Sequence, residues 1–211
     1  MPSIADIWNG KFTAEHYVYG QSPNAHLQNQ AVHLKPGGRV LVPGDGEGRN
    51  GVWLAAMGMN VLSVDASSVG LSKARKLAEQ RGVGLSTEQA DLLNWPWPRS
   101  AFDAVVSIFL HFEQADRPAV HAAMTAALKP GGLLILEAFR PEQLRFASGG
   151  PKSSALLYSA ADLRRDFRGL DILMLDEIQT TLDEGPFHQG PAAVVRMVGV
   201  KRGVSSDGDP A

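Results

Sequence analysis

The residues best placed for chemistry lie in the stretch RVLVPGDGEGRN, positions 39 to 50, where Gly44, Gly46 and Gly48 alternate after a short aliphatic run. Glycines there let the chain turn sharply and bring its backbone close to a ligand, because no Cβ stands in the way. A helix beginning at Arg49 and Asn50 would aim unpaired N–H groups and a positive dipole end at whatever lies over the loop. A second aliphatic run, NVLSVD, ends on Asp65. That is about twenty residues beyond the glycines, where an acid can accept from both ribose hydroxyls. Ser67 is better placed than Asp65 to cap the next helix, which leaves Asp65 for a ligand. The chemistry is nucleotide recognition of a kind these residues alone do not specify.

The elements that must hold these residues follow from periodicity. Val40 to Val42 read as a buried strand, Asn60 to Asp65 as a second, Gly84 to Ala90 as a third, FDAVVSIFLHF (102 to 112) as a central fourth and LLILEAF (133 to 139) as a fifth. Helices alternate with them, one capped by Asp116 with Pro118 in its first turn and one opened by the Ser159 and Asp162 capping box. Strands alternating with helices predict a doubly wound α/β sheet with right-handed crossovers. Two further strands, DILMLDEIQTTL and AAVVRMVGVK, are separated only by EGPFHQGP, too short for a crossover helix, so an antiparallel pair is expected. Before the first strand, AHLQNQAVHLK is predicted as a helix, preceded by the aromatics Trp8, Phe12, Tyr17 and Tyr19. These aromatics are either simple packing or a lid. The organisation expected is a helical cap or lid over 1–35, one domain over 36–201 and a disordered tail over 202–211.

Composition narrows the classes. The chain has 211 residues, a formal net charge of −2 and no cysteine, so it offers no thiolate metal site, disulfide or cysteine nucleophile. It also offers no global basic field for nucleic acid. No HExxH or similar spacing supports a metal. The start lacks the features of a signal peptide and no apolar run reaches membrane-spanning length. A cytoplasmic protein with a small-molecule substrate and no nucleic-acid or membrane partner is expected, as a monomer or homodimer.

Gly46 to Gly51 formally matches GxGxxG, so an NAD-dependent oxidoreductase has to be considered, although that match alone is weak. A triphosphate-binding loop is excluded because no Gly-Lys-Ser or Gly-Lys-Thr occurs. The ordered series of glycine loop, Asp65, Asp91, FDAVVSIFLHF and LKPGG resembles the class I S-adenosylmethionine-dependent methyltransferases. The WNxKF start, YVYGxxPN, GEGRN and the EGPFHxG…VVR ending are similar to the bacterial tellurite-resistance-type members, over nearly the whole chain. The resemblance implies a seven-stranded Rossmann-like sheet of order 3-2-1-4-5-7-6 with strand 7 antiparallel, and S-adenosyl-L-methionine as cofactor.

It implies that Gly44, Gly46 and Gly48 run beneath the methionine part and that Asp65 holds the ribose, with Arg49, Asn50 and Ala66 as further cofactor-binding residues. Asp91 and Leu92 would read the adenine, and Ile108 and Phe109 would line the sulfonium end. One departure stands out: the acid usual at the end of the first strand is here Val42, followed by Pro43. Asp45 either supplies the missing charge or faces solvent.

Methyl transfer from a sulfonium needs alignment and exclusion of water before it needs acid or base. A thiolate, or a tellurium or selenium species, needs no deprotonation in the site, whereas alcohols and amines usually do. No base with a partner at motif spacing is visible. Loops bordering the cleft of this fold offer Tyr17, His111 and His188 as catalytic candidates. Tyr19, Arg140, Lys152, Tyr158 and Glu184 are the substrate-binding candidates, Arg140 and Lys152 favouring an anionic acceptor. His16, His26, His33 and His121 read as packing or surface residues. Action on DNA bases is disfavoured because Ser107, Ile108, Phe109 and Leu110 replace the motif such enzymes carry. A cofactor-binding protein without transfer activity is the non-enzymatic alternative.

Overall fold

A computed structural model describes residues 2–203. One sheet organises them, with strands β1 (Arg39–Pro43), β2 (Asn60–Asp65), β3 (Ser86–Gln89), β4 (Phe102–Ile108), β5 (Leu128–Phe139), β6 (Leu170–Asp183) and β7 (Gln189–Lys201) in the order β3-β2-β1-β4-β5-β7-β6. β1 to β5 are parallel, and β7 runs antiparallel to both β5 and β6. The helices are α1 (Ile4–Phe12), α2 (Ala25–Gln30), α3 (Arg49–Ala56), α4 (Ser68–Gln80), α5 (Arg117–Ala127) and α6 (Ala160–Asp166).

Alternation along the strands explains the two cores. Val40 and Val42 point to the face covered by α2 and α3, where they meet Leu27, Leu54, Val106 and Ile135. Leu41 points the other way, into a cluster with Val105, Met124, Leu134, Leu136 and Phe167 beneath α5 and α6. Both faces are buried, which is why the central strands read as continuous apolar runs. Each aliphatic side chain fully removed from water contributes roughly 1.5–3 kcal/mol.

Several boundaries differ from the sequence expectation. β3 is only Ser86–Gln89, because its sole partner β2 offers Leu62 to Asp65 as register. The expected helix over 25–35 stops at Gln30 and tightens into a 3-10 turn, Ala31–His33, since Pro36 disfavours helical backbone before it. α5 ends at Ala127, and Leu128 already pairs with Phe102. Asp116 precedes α5 without a capping hydrogen bond from its side chain, while Pro118 does sit in the first turn. The Ser159 and Asp162 capping box is present, and Ser67 Oγ accepts from Gly70 N at 2.9 Å as the cap of α4. The expected disordered tail lies outside the described residues from position 204 onward.

Candidate functional site

The glycine loop sits at the carboxyl end of β1, between β2 and β4, where successive crossovers leave the sheet in opposite directions and open a crevice. Gly44, Gly46 and Gly48 all adopt positive φ, at 68°, 56° and 87°, so the alternation seen in the sequence is a backbone requirement. A Cβ on Gly46 would come within 2.9 Å of the Phe12 ring, and one on Gly48 within 2.5 Å of Ala74 Cβ.

The loop's acids act on its own backbone. Asp65 accepts from Gly46 N at 2.9 Å through Oδ2 and from Ser67 N at 2.8 Å through Oδ1. Each oxygen keeps a second lone pair. Burial raises its pKa, with the backbone donors opposing the shift. Asp45 does not face solvent, which corrects that alternative. It is buried, accepting from Ser63 Oγ at 2.5 Å and Gly51 N at 3.2 Å. Burial pushes its carboxyl up to about 6 against those two bonds. Glu47 points outward to the N-terminal segment, accepting from Val18 N at 2.8 Å and pairing with Lys73 of α4. Lys73 Nζ also donates to Ala14 O at 2.8 Å and His16 O at 2.7 Å.

Residues 13–24 therefore cross directly over the glycine loop. At their far end Asn24, fully buried, donates from Nδ2 to Glu137 Oε1 at 2.7 Å and Glu184 Oε1 at 2.8 Å. Its backbone N–H donates to Asn50 Oδ1 at 2.9 Å, and its own Oδ1 caps α2 through Leu27 N at 3.0 Å. Glu137 is also paired with Arg196, its cross-strand neighbour on β7. Arg49 Nη2 lies 2.7 Å from Glu184 Oε2, which ties the glycine loop to the turn between β6 and β7. Burial resists ionisation of Glu184, but the Arg49 guanidinium beside it outweighs burial and holds it down to about 2. His188 Nδ1 is 3.9 Å away, too long for a hydrogen bond, so Arg49 carries the pairing.

The acceptor side is aromatic. His188 packs on Tyr19, Phe109 and Phe139 with centroid separations of 4.5, 4.7 and 5.3 Å. Phe109 stacks on Phe139 at 4.4 Å and holds a left-handed backbone, φ 52°. A bulky residue keeps such a conformation only where its surroundings over-determine it. Here Phe109 N donates to Glu137 O at 2.7 Å. Burial pushes Tyr19 up to about 12, with Arg49 opposing, and burial together with Arg49 lowers His188.

Other expected residues lie elsewhere. Tyr17 packs against the α3 and α4 side and donates to Lys73 O at 3.1 Å. His111 Nδ1 lies 2.6 Å from Leu156 O while Nε2 accepts from Phe139 N at 3.3 Å. With both nitrogens engaged by backbone it has none to spare for a base. Tyr158 is fully buried and its OH accepts from Phe112 N at 2.6 Å. It packs in the core and does not line the cleft. Arg140 pairs with Glu142 at 2.8 Å and Glu177 at 3.3 Å, and Lys152 is exposed. Neither joins the aromatic cluster. Asp91 closes its own turn through Leu93 N at 3.1 Å and Asn94 Nδ2 at 2.8 Å, beside buried Leu92. Asn9 Oδ1 of α1 accepts from Ser67 Oγ at 2.7 Å, next to Asp65 and Ala66. Asn24, Glu47, Lys73, Glu137 and Arg196 were not anticipated. The one available signal was Glu137, an acid inside an otherwise apolar strand, where a buried charge requires a partner.

The sheet order, the antiparallel β7 and the glycine loop at the switch point define the class I methyltransferase fold. Residues 40–132 match the family model described as a methyltransferase domain. It is 33% identical over 122 residues to a probable thiol methyltransferase 2 of Arabidopsis thaliana, covering 55% of this chain and 51% of that protein. The chain spans about a third to a half of the length of the curated relatives it matches. A chain solved in work on the conversion of a disulfide bond into a thioacetal group during echinomycin biosynthesis superposes with a TM-score of 0.77. It is 24% identical and covers 97% of this chain and 95% of its own. TehB from Haemophilus influenzae gives 0.68 at 19% identity, covering 94% and 67%. These two likenesses concern the fold alone.

Proposed function

We propose that the protein is an S-adenosylmethionine-dependent methyltransferase acting on a small-molecule acceptor of soft or oxyanionic character, such as a thiol or a tellurium or selenium species. The observation that carries the class is the positive-φ glycine loop at the β1/β4 switch point, with Asp65 fastened to it and Arg49 opening α3. The residues present fit the cofactor. The loop exposes backbone, Asp65 retains lone pairs for ribose hydroxyls, and Asp91 with Leu92 stands beside the third strand for the adenine. When bound, the sulfonium supplies the methyl group. The chain supplies alignment and dryness.

Residues 1–35 act as the lid, with Phe12 against the loop and residues 13–24 fastened across it. Tyr19, Phe109, Phe139 and His188 form the acceptor wall, and Ile108 with Phe109 borders the sulfonium end. His188, kept neutral by burial and by Arg49, is the acceptor-side residue able to take a proton where the acceptor carries one. A thiolate needs none, and the similarity to a thiol methyltransferase supports that acceptor class. Calorimetry with S-adenosylmethionine, S-adenosylhomocysteine and NAD tests the cofactor, with micromolar binding expected for the first two only. Transfer of labelled methyl to thiols, oxyanions, phenols and amines then tests the acceptor. Tight binding without transfer to any acceptor in a cell extract would favour the non-catalytic alternative.

A further inference from the structure

We propose that Arg49 binds the α-carboxylate of the cofactor's amino-acid end, with Glu184 and Asn24 as the residues that position it. The proposal rests on the cofactor reading above and names a partner that reading leaves open. The guanidinium is more than nine-tenths buried, and only Nη2 is paired, with Glu184 Oε2 at 2.7 Å. Nη1 is buried without a hydrogen-bond partner among the described residues. A guanidinium N–H left unsatisfied away from water costs free energy, and in a native site it calls for a ligand.

The surroundings narrow that ligand. Arg49 is the first residue of α3, whose N-cap Gly48 supplies no side chain and whose Gly51 amide is already taken by Asp45 at 3.2 Å; the positive end of the helix favours negative charge there. Glu184 cannot rotate to satisfy Nη1 as well, because its other oxygen is held by Asn24, and Asn24 is held in turn by Glu137 and Asn50. Glu137 is matched by Arg196. Arg49 and Arg196 are matched by Glu184 and Glu137, and Asp45 adds a further buried carboxyl beside Arg49, so no excess positive charge favours a bare anion over a zwitterion. A carboxylate at Nη1 accompanied by its own ammonium leaves the net charge unchanged. The planar fork suits a carboxylate, with one arm on Glu184 and the other on the ligand.

The experiment compares two ligands that differ in the amino-acid end. S-adenosylhomocysteine carries the carboxylate, and 5′-methylthioadenosine lacks it. By calorimetry, Arg49→Met is expected to weaken S-adenosylhomocysteine by roughly 10–100-fold, the scale of one charge-assisted contact. Methylthioadenosine should change by less than about threefold. Parallel loss of both ligands, or no loss of either, would overturn the proposal. In the unaltered protein, decarboxylated S-adenosylmethionine should bind more weakly than S-adenosylmethionine by a similar factor. Equal affinity of those two would overturn it without any substitution. If the unaltered protein binds none of these adenosyl ligands, the cofactor reading itself fails, and that result is distinct from the others.

Discussion

Ser63 Oγ of β2 donates to Asp45 Oδ2 of the glycine loop at 2.5 Å, directly against Gly51 in the first turn of α3. A side chain at position 51 would overlap both groups. The loop is thus closed from below by a carboxylate that water does not reach.

Asp45 makes stability fall as pH rises. Its folded pKa, about 6, lies above the ordinary 3.8, so the folded state holds the proton more tightly. The resulting stability is full below about pH 4 and is lost as pH rises through 6. Asp45→Asn, which can still accept from Gly51 N and donate to Ser63, is expected to remove that decline. The variant should gain on the order of 1–3 kcal/mol over the parent at pH 7.5. Urea unfolding at pH 4.5 and 7.5 checks this. A variant less stable than the parent at both values would contradict it.

Lys73 fastens the segment over the loop through Glu47, Ala14 O and His16 O. Lys73→Met removes all three contacts, while the sheet and both main cores are untouched. Exchange of the Val18 and Tyr19 amides, which donate to Glu47, should accelerate by about 10–100-fold. Amides of β4 and β5 should keep their rates. Hydrogen exchange read by mass spectrometry distinguishes this local release from a global loss of stability.

Arg117 joins α5 to α6. It is fully buried, donating to Asp166 at 2.7 Å and Asp162 at 3.1 Å, and Asp166 also meets His121 Nδ1 at 3.0 Å. Arg117→Leu leaves a buried carboxylate short of its strongest partner and should cost about 3–5 kcal/mol. Adding Asp166→Asn should recover part of that loss in a double-mutant cycle measured by denaturant unfolding. Strict additivity of the two substitutions would argue against the pairing as the cause.

His111 should stay neutral across the physiological range. Burial depresses it to about 4, the carbonyl of Leu156 opposing. Because the folded pKa lies below 6.5, its contribution to stability is present above pH 6.5 and fades as pH falls toward 4, opposite in sign to Asp45. Its imidazole signal, assigned with His111→Gln, should show no titration between pH 5.5 and 8 by NMR. A midpoint near 6.5 would mean that the ring is not held as described.

The sequence determined the elements. Aliphatic runs, glycine punctuation and the short link between the last two strands are local signals, and they led to the doubly wound sheet and its antiparallel final pair, while the strand order came from the family resemblance. They also located the glycine loop and the capping residues Ser67 and Ser159. Boundaries set by a partner, such as the brevity of β3, were not legible, since register with β2 decides them.

The site divides along the same line. Gly44, Gly46, Gly48 and Asp65 lie within one β-α-β unit, β1-α3-β2, so spacing alone relates them. Asn24, Arg49, Glu137 and Glu184 meet although they are up to 160 residues apart, and only chain tracing through the sheet brings them together. The fates of His111 and Tyr158 were likewise tertiary. A histidine or tyrosine near the end of a strand looks available until its ring atoms are seen to satisfy buried backbone groups. Burial and pairing are properties of neighbours, and most of those neighbours come from distant parts of the chain.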